Sequence, residues 1–323
     1  MTTDTPEVET LQPYYIAEGI PYAPVRRVDI KGKRHYYATD TEELVVLPSV
    51  TTILRATMPM PSHLLKWWCN LGYDAAKRFM KERAAYGTLL HLCCAEFLRN
   101  GSFDLDDVPE RIAIYTSNHN IQFNVHQWRY DLQQDMIAFA AMCAERNVEL
   151  IGVEVPIASS SLGYAGTSDI LCRMNFERKR VVALIDVKSG RNADSLEYML
   201  QVTAYQLLWN LSPAGNHSCV THIFLWHPSA WTTKPASVLK NYSEHVAQLQ
   251  LHWFTLTEAY AQQQELATFT DQEDMKIQAF GQLKLGMLPD NNFQHVSTLQ
   301  LLQANHKQER STILKGAIDV DTF

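Results

Sequence analysis

"ALIDVKSG", residues 183–190, sets a carboxylate and an ammonium inside an apolar run. Ala183, Leu184, Ile185 and Val187 favour a strand, and period-two alternation then puts Asp186 and Lys188 on one face. A buried carboxylate is costly without a cation, so the pair asks for an explanation beyond packing. A D-x-K triplet on its own is most often a surface ion pair, and its neighbours decide whether this one is.

Upstream, "VELIGVEVPIAS" (148–159) and "YAGTSDILCRMNF" (164–176) read as two more strands, separated from each other and from 180–190 by turns at "SSLG" and "ERKR". Downstream come a helix, "SLEYMLQVTAYQLLWNL" (195–211), a strand, "CVTHIFLWHP" (219–228), a short strand near 236–242 and a helix over 244–265. Three strands can form an antiparallel meander, and the helix can cross over to a fourth. The pattern predicts an α/β fold with a mixed central sheet flanked by helices.

Before this core, residues 14–47 read as short strands with a hairpin tip at Lys31-Gly32-Lys33. "LPSVTTIL" (47–54) then offers Ser49 as a helix N-cap, and Pro59 and Pro61 interrupt that helix. A long helix is expected over 62–80, another from near Tyr86 to Gly101, and a third over 127–146. These form a helical N-terminal extension. The expected divisions are 1–47 (tail and strands), 48–265 (the core) and 266–323 (a helix followed by a flexible tail).

Composition narrows the class. Net charge is -7, yet residues 21–100 carry 12 Lys and Arg against 7 Asp and Glu, a local +5 that can track a phosphate backbone. The six cysteines are scattered without a CxxC, which predicts reduced thiols in an intracellular, cytoplasmic or organellar-matrix setting. The acidic N-terminus is no secretory signal, and no apolar run reaches membrane-spanning length.

Asp169, at the end of "GTSD", lies on the strand that pairs with the one bearing Asp186. Two such aspartates make an oxygen-rich pocket suited to Mg²⁺ or Mn²⁺, with Lys188 placed to serve a water or offset charge on phosphate. Around them stand "GTLLH" (87–91), Glu154 and "QVTAY" (201–205). In this order the chain resembles the RecB-like nucleases of the PD-(D/E)XK superfamily, over roughly residues 45–230. "LPSVTTIL" also looks like the segment preceding the core in the mitochondrial genome maintenance exonuclease group.

The resemblance implies a restriction-endonuclease-like core and a metal-dependent DNA phosphodiesterase. It implies that Asp169, Asp186, the Val187 carbonyl and His91 bind the metal, and that Lys188 serves the water. Gln201 and Tyr205, four apart on one helix face, would steady the lysine or contact phosphate. Glu154 either joins the site or pairs with a basic residue. Several relatives hold an iron–sulfur cluster with a late cysteine triplet; here the last cysteine is Cys219, so no cluster is expected.

Lys66, Trp67, Trp68, Lys77 and Arg78, with Tyr73, Phe79, Lys81 and Arg83, mix rings and cations as single-strand binders do. A helical arch built from them would thread a free end. The expected activity is therefore exonucleolytic on single-stranded DNA, in repair, recombination or replication. The alternatives are a structure-specific or CRISPR-associated endonuclease, or a non-catalytic DNA-binding module. The acidic, aromatic terminus "GAIDVDTF" (316–323) is a candidate for docking a protein partner.

Overall fold

Short strands open the chain: β1 (Val8–Leu11), β2 (Tyr15–Ile16), β3 (Val25–Ile30), β4 (Lys33–Tyr37) and β5 (Val46–Pro48). Helices α1 (Val50–Thr57), α2 (Ser62–Leu71), α3 (Tyr73–Asn100), α4 (Val108–His119) and α5 (Val125–Arg146) follow. The core then runs β6 (Glu149–Ser159), β7 (Tyr164–Phe176), β8 (Lys179–Val187), α6 (Leu196–Leu211), β9 (His222–Pro228), β10 (Ser237–Asn241) and, after a 3-10 turn, α7 (Val246–Phe280). This computed structural model describes residues 8–30, 33–37, 45–119, 121, 123–190, 195–229 and 234–280. The hairpin tip at Lys31-Gly32 and the candidate docking terminus 316–323 lie outside the described residues. A boundary between two units falls after Leu266.

Six strands form the main sheet in the order β10-β9-β8-β7-β6-β2. β6, β7 and β8 are a continuous antiparallel meander, and β8 pairs with β9 in parallel. Antiparallel partners need only a tight turn, whereas the parallel pair needs the α6 crossover. The β7–β8 turn is tighter than "ERKR" suggests, because Phe176 already pairs with Lys179. Glu177 and Arg178 supply both positive φ values, 47° and 64°, that a two-residue turn matching strand twist demands. A second, antiparallel sheet of order β1-β3-β4-β5 stands beside it.

Helices cover both faces of the main sheet. Leu90, Leu132 and Phe139 of α3 and α5 pack on Ile170, Ala183 and Ile185, while Ile53, Leu208 and Trp253 of α1, α6 and α7 pack with Leu171, Leu184 and Leu225. Alternate residues of β8 thus feed opposite layers, and its last four residues are all buried. Among the described residues no helix is long and apolar enough to cross a membrane.

Local signals account for most helix ends. Ser49 caps α1 by accepting from the Thr52 N–H at 3.0 Å, and Ser195 caps α6 by accepting from the Tyr198 N–H at 3.2 Å. Two readings of the helical segment need correction. The helix expected over 62–80 breaks at Gly72, whose φ of 83° suits glycine, and Tyr73–Asn100 is one helix of 28 residues. "KERAA" between the two expected helices contains only good helix formers, so nothing stops the chain there. Helix α4 was not expected; Pro109 sits in its first turn, where a missing N–H costs nothing.

Candidate active site

α3 from one layer and α6 from the other each bring a side chain to the end of β8, and the polar groups converge there. The β7–β8 register pairs Ile170 with Ile185, which makes Asp169 and Asp186 the next cross-strand neighbours. Asp169 Oδ2 accepts the Val187 N–H at 2.8 Å. His91 reaches in from α3: its Nε2 lies 2.9 Å from the Val187 carbonyl, and its Nδ1 lies 3.4 Å from Glu154 Oε1 and 3.6 Å from Asp169 Oδ2. A carbonyl can only accept, so Nε2 carries a proton and Nδ1 is the nitrogen turned toward the carboxylates.

Ligand atoms of His91, Glu154 and Asp169 all lie within 4.8 Å of one another. Oxygen-rich donors with one imidazole suit a hard divalent cation such as Mg²⁺ or Mn²⁺. A ring nitrogen facing the carboxylates while the other N–H rests on a backbone carbonyl is the usual support of a metal-binding histidine. The Val187 carbonyl, expected among the metal ligands, is here the anchor of the His91 ring. Glu154 has φ of 49° inside β6, a costly conformation for a residue with a side chain. Its carboxylate lies 3.4 Å from His91 Nδ1, so Glu154 joins the site.

Asp186 belongs to the other half of the site. It is fully buried, and Lys188 Nζ stands 2.7 Å from its Oδ2 as an ion pair lacking hydrogen-bond geometry. Oδ1 has no hydrogen-bond partner among the described residues. Lys188 Nζ donates to Gln201 Oε1 at 3.1 Å, Gln201 Nε2 donates to Tyr205 Oη at 3.0 Å, and the Tyr198 ring lies 4.6 Å from the ammonium. Tyr198, Gln201 and Tyr205 recur at helical spacing on α6, so one face presents all three. Tyr198 was missed in the sequence, although its place three residues before Gln201 was the available signal.

Electrostatics bind these groups into one unit. Burial pushes the Asp186 carboxyl up to about 6 despite the Lys188 ammonium beside it. Burial likewise raises Asp169, against the opposing pull of His91. His91 is held up at about 9: burial favours the neutral ring, and Asp169 and Glu154 outweigh it. Lys188 stays above its ordinary range because Asp186 and Asp169 overcome its burial. Without a metal ion, imidazolium and ammonium balance the carboxylates.

Two glycines of the quoted motifs make the approach possible. A Cβ on Gly166 would stand 2.5 Å from the Tyr205 ring, and one on Gly87 would stand 3.0 Å from Ser189 Oγ. The first lets α6 lie against β7; the second lets α3 close on the end of β8, so that His91 one turn later reaches the carboxylates. Gly166→Ala is therefore expected to displace Tyr205 and destabilise the fold by about 1–3 kcal/mol, read by thermal denaturation.

A cavity of about 740 Å³ opens over the cluster, and His91, Glu154, Asp169, Lys188, Gln201 and Tyr205 line it. Lys66, Lys77 and Arg78 are exposed on α2 and α3, outside this lining. Trp67 and Trp68 are half-buried: Trp67 meets Phe79 edge-on at 5.4 Å and Trp68 meets Tyr73 at 5.7 Å. No residue of α2 is buried, so these tryptophans are not core.

Neither a protein-family model nor a curated protein matches this chain. Among solved structures, the crystal structure of SSO0001 aligns with 52% of this chain and 84% of its own, at 16% identity and a TM-score of 0.21.

Proposed function

We propose that this chain is a metal-dependent nuclease with a PD-(D/E)XK core, hydrolysing phosphodiester bonds of single-stranded DNA from a free end. The observation that carries this reading is the pairing of a cation pocket, His91, Glu154 and Asp169, with a lysine held on Asp186. His91 Nδ1, Glu154 and Asp169 would hold Mg²⁺ or Mn²⁺, with Asp186 beside them. When bound, the ion supplies Lewis acidity at the phosphoryl group.

The chain's own groups do the rest. Asp186, Gln201 and the Tyr198 ring fix the Lys188 ammonium so that it can orient a water and offset charge developing on phosphate. Gln201 passes that constraint to Tyr205. The rings and cations of α2 and α3, exposed or half-buried outside the core, offer stacking faces and phosphate contacts to an unpaired strand.

Digestion of end-labelled linear and circular single strands with Mg²⁺ or Mn²⁺ tests this. Linear strands are expected to shorten to oligonucleotides while circles of the same sequence resist. Rapid cleavage of circles would favour the endonuclease reading and leave the metal site standing. No cleavage of either, with tight DNA binding, would favour a non-catalytic module. Trp67→Ala is expected to weaken DNA binding by about 1–3 kcal/mol, measured by fluorescence anisotropy, with little change in melting temperature.

A further inference from the structure

Arg34 of β4 and Arg55 of α1 line the same cavity as the carboxylates. Their placement follows from the fold. His35 pairs with Pro48 across β4 and β5, which sets Arg34 opposite Ser49, and Thr52 Oγ1 donates to the Arg34 carbonyl at 3.3 Å. Ser49 in turn bridges to Ala165 on β7, four residues before Asp169. Arg55 follows Thr51 by one turn of α1, and both side chains reach the lining.

Both guanidinium-bearing residues are exposed, and among the described residues neither has an ion-pair partner. Two guanidiniums in one cavity, without an ion-pair partner among the described residues, can take an anion, and their fork of donors matches phosphate oxygens. Ser49 and Thr51 add hydroxyls at the start of α1, whose first turn carries no acidic residue. The two arginines carry the argument; the helix end adds to it.

We infer that Arg34 and Arg55 form a phosphoryl-binding subsite that holds a phosphate of the substrate strand other than the one being cut. This rests on the nuclease reading above and deepens it. The cation pocket takes the scissile phosphate, and the arginines fix the strand's register against it. The phosphate is either a terminal monoester or an internal diester, with the same chemistry toward the guanidiniums.

The test compares the intact protein with the double variant Arg34→Gln, Arg55→Gln. Fluorescein-labelled single-stranded oligonucleotides with a 5′-phosphate or a 5′-hydroxyl are the probes, titrated by anisotropy with Ca²⁺ at several salt concentrations. The double variant is expected to bind about tenfold to a hundredfold more weakly, with a salt slope shallower by about 1. A loss confined to the 5′-phosphorylated strand marks a terminal phosphate; an equal loss on both marks an internal one. Arg34→Lys with Arg55→Lys should recover the salt slope and only part of the affinity. Unchanged affinity and slope in a variant of a protein that cleaves DNA would overturn the subsite and leave the nuclease reading intact. An intact protein that neither binds nor cleaves DNA would overturn both.

Discussion

Asp186→Asn is expected to lower the single-turnover cleavage rate by about a thousandfold or more while leaving DNA affinity within a few fold. The substitution keeps the shape of a fully buried side chain and removes its charge. Two functions go together: a carboxylate beside the cation pocket and the counter-charge that holds Lys188 at 2.7 Å. The fold itself should survive, because Lys188, unlike Asp186, keeps 16% of its side chain exposed and has Asp169 as a second counter-charge. Burial already pushes this carboxyl up to about 6, so its ionised form is held at a cost that the amide avoids. Rapid-quench kinetics and anisotropy on one preparation separate chemistry from binding. A near wild-type rate would remove Asp186 from the site.

Lys188→Ala carries the second large effect, a loss of about 100-fold to 10,000-fold in the chemical step. The ammonium touches Asp186, Gln201 and the Tyr198 ring, a setting far more elaborate than a solvated lysine requires. Its removal also strips the buried Asp186 of its cation, which costs about 3–5 kcal/mol of stability without metal. Mn²⁺ should recover part of that loss, because a ligand that binds only the folded state raises its melting temperature. A thermal shift with metal alongside an unchanged single-turnover rate would limit Lys188 to a structural counter-ion.

The parts of this arrangement that could be read from residues are those with short-range geometry. Period two put Asp186 and Lys188 on one face, and spacing of four put Gln201 and Tyr205 together. The meander was legible because apolar runs alternate with turn residues. What could not be read depends on contacts distant in sequence. Val187's carbonyl meets His91 across 96 positions, and no local pattern announces it. Edge strand β2 falls in the stretch read as short strands, but its two residues carry no pattern that announces pairing with β6. Arg34 and Arg55 look like ordinary surface cations until β4 and α1 bring them to one cavity. The break at Gly72 was missed because a single glycine inside a helical pattern is usually tolerated.

Helix α2 contributes no buried residue, and its tryptophans meet α3 through edge-on ring contacts. Its opening therefore exposes little apolar surface, whereas opening β8 would take apart both helical layers at once. The two should differ in amide hydrogen exchange by orders of magnitude. α2 is expected to exchange through local fluctuations insensitive to mild denaturant, and β8 through global unfolding. On the proposed nuclease reading, a segment so loosely coupled would close on a passing strand and release it without drawing on the stability of the sheet that holds the carboxylates.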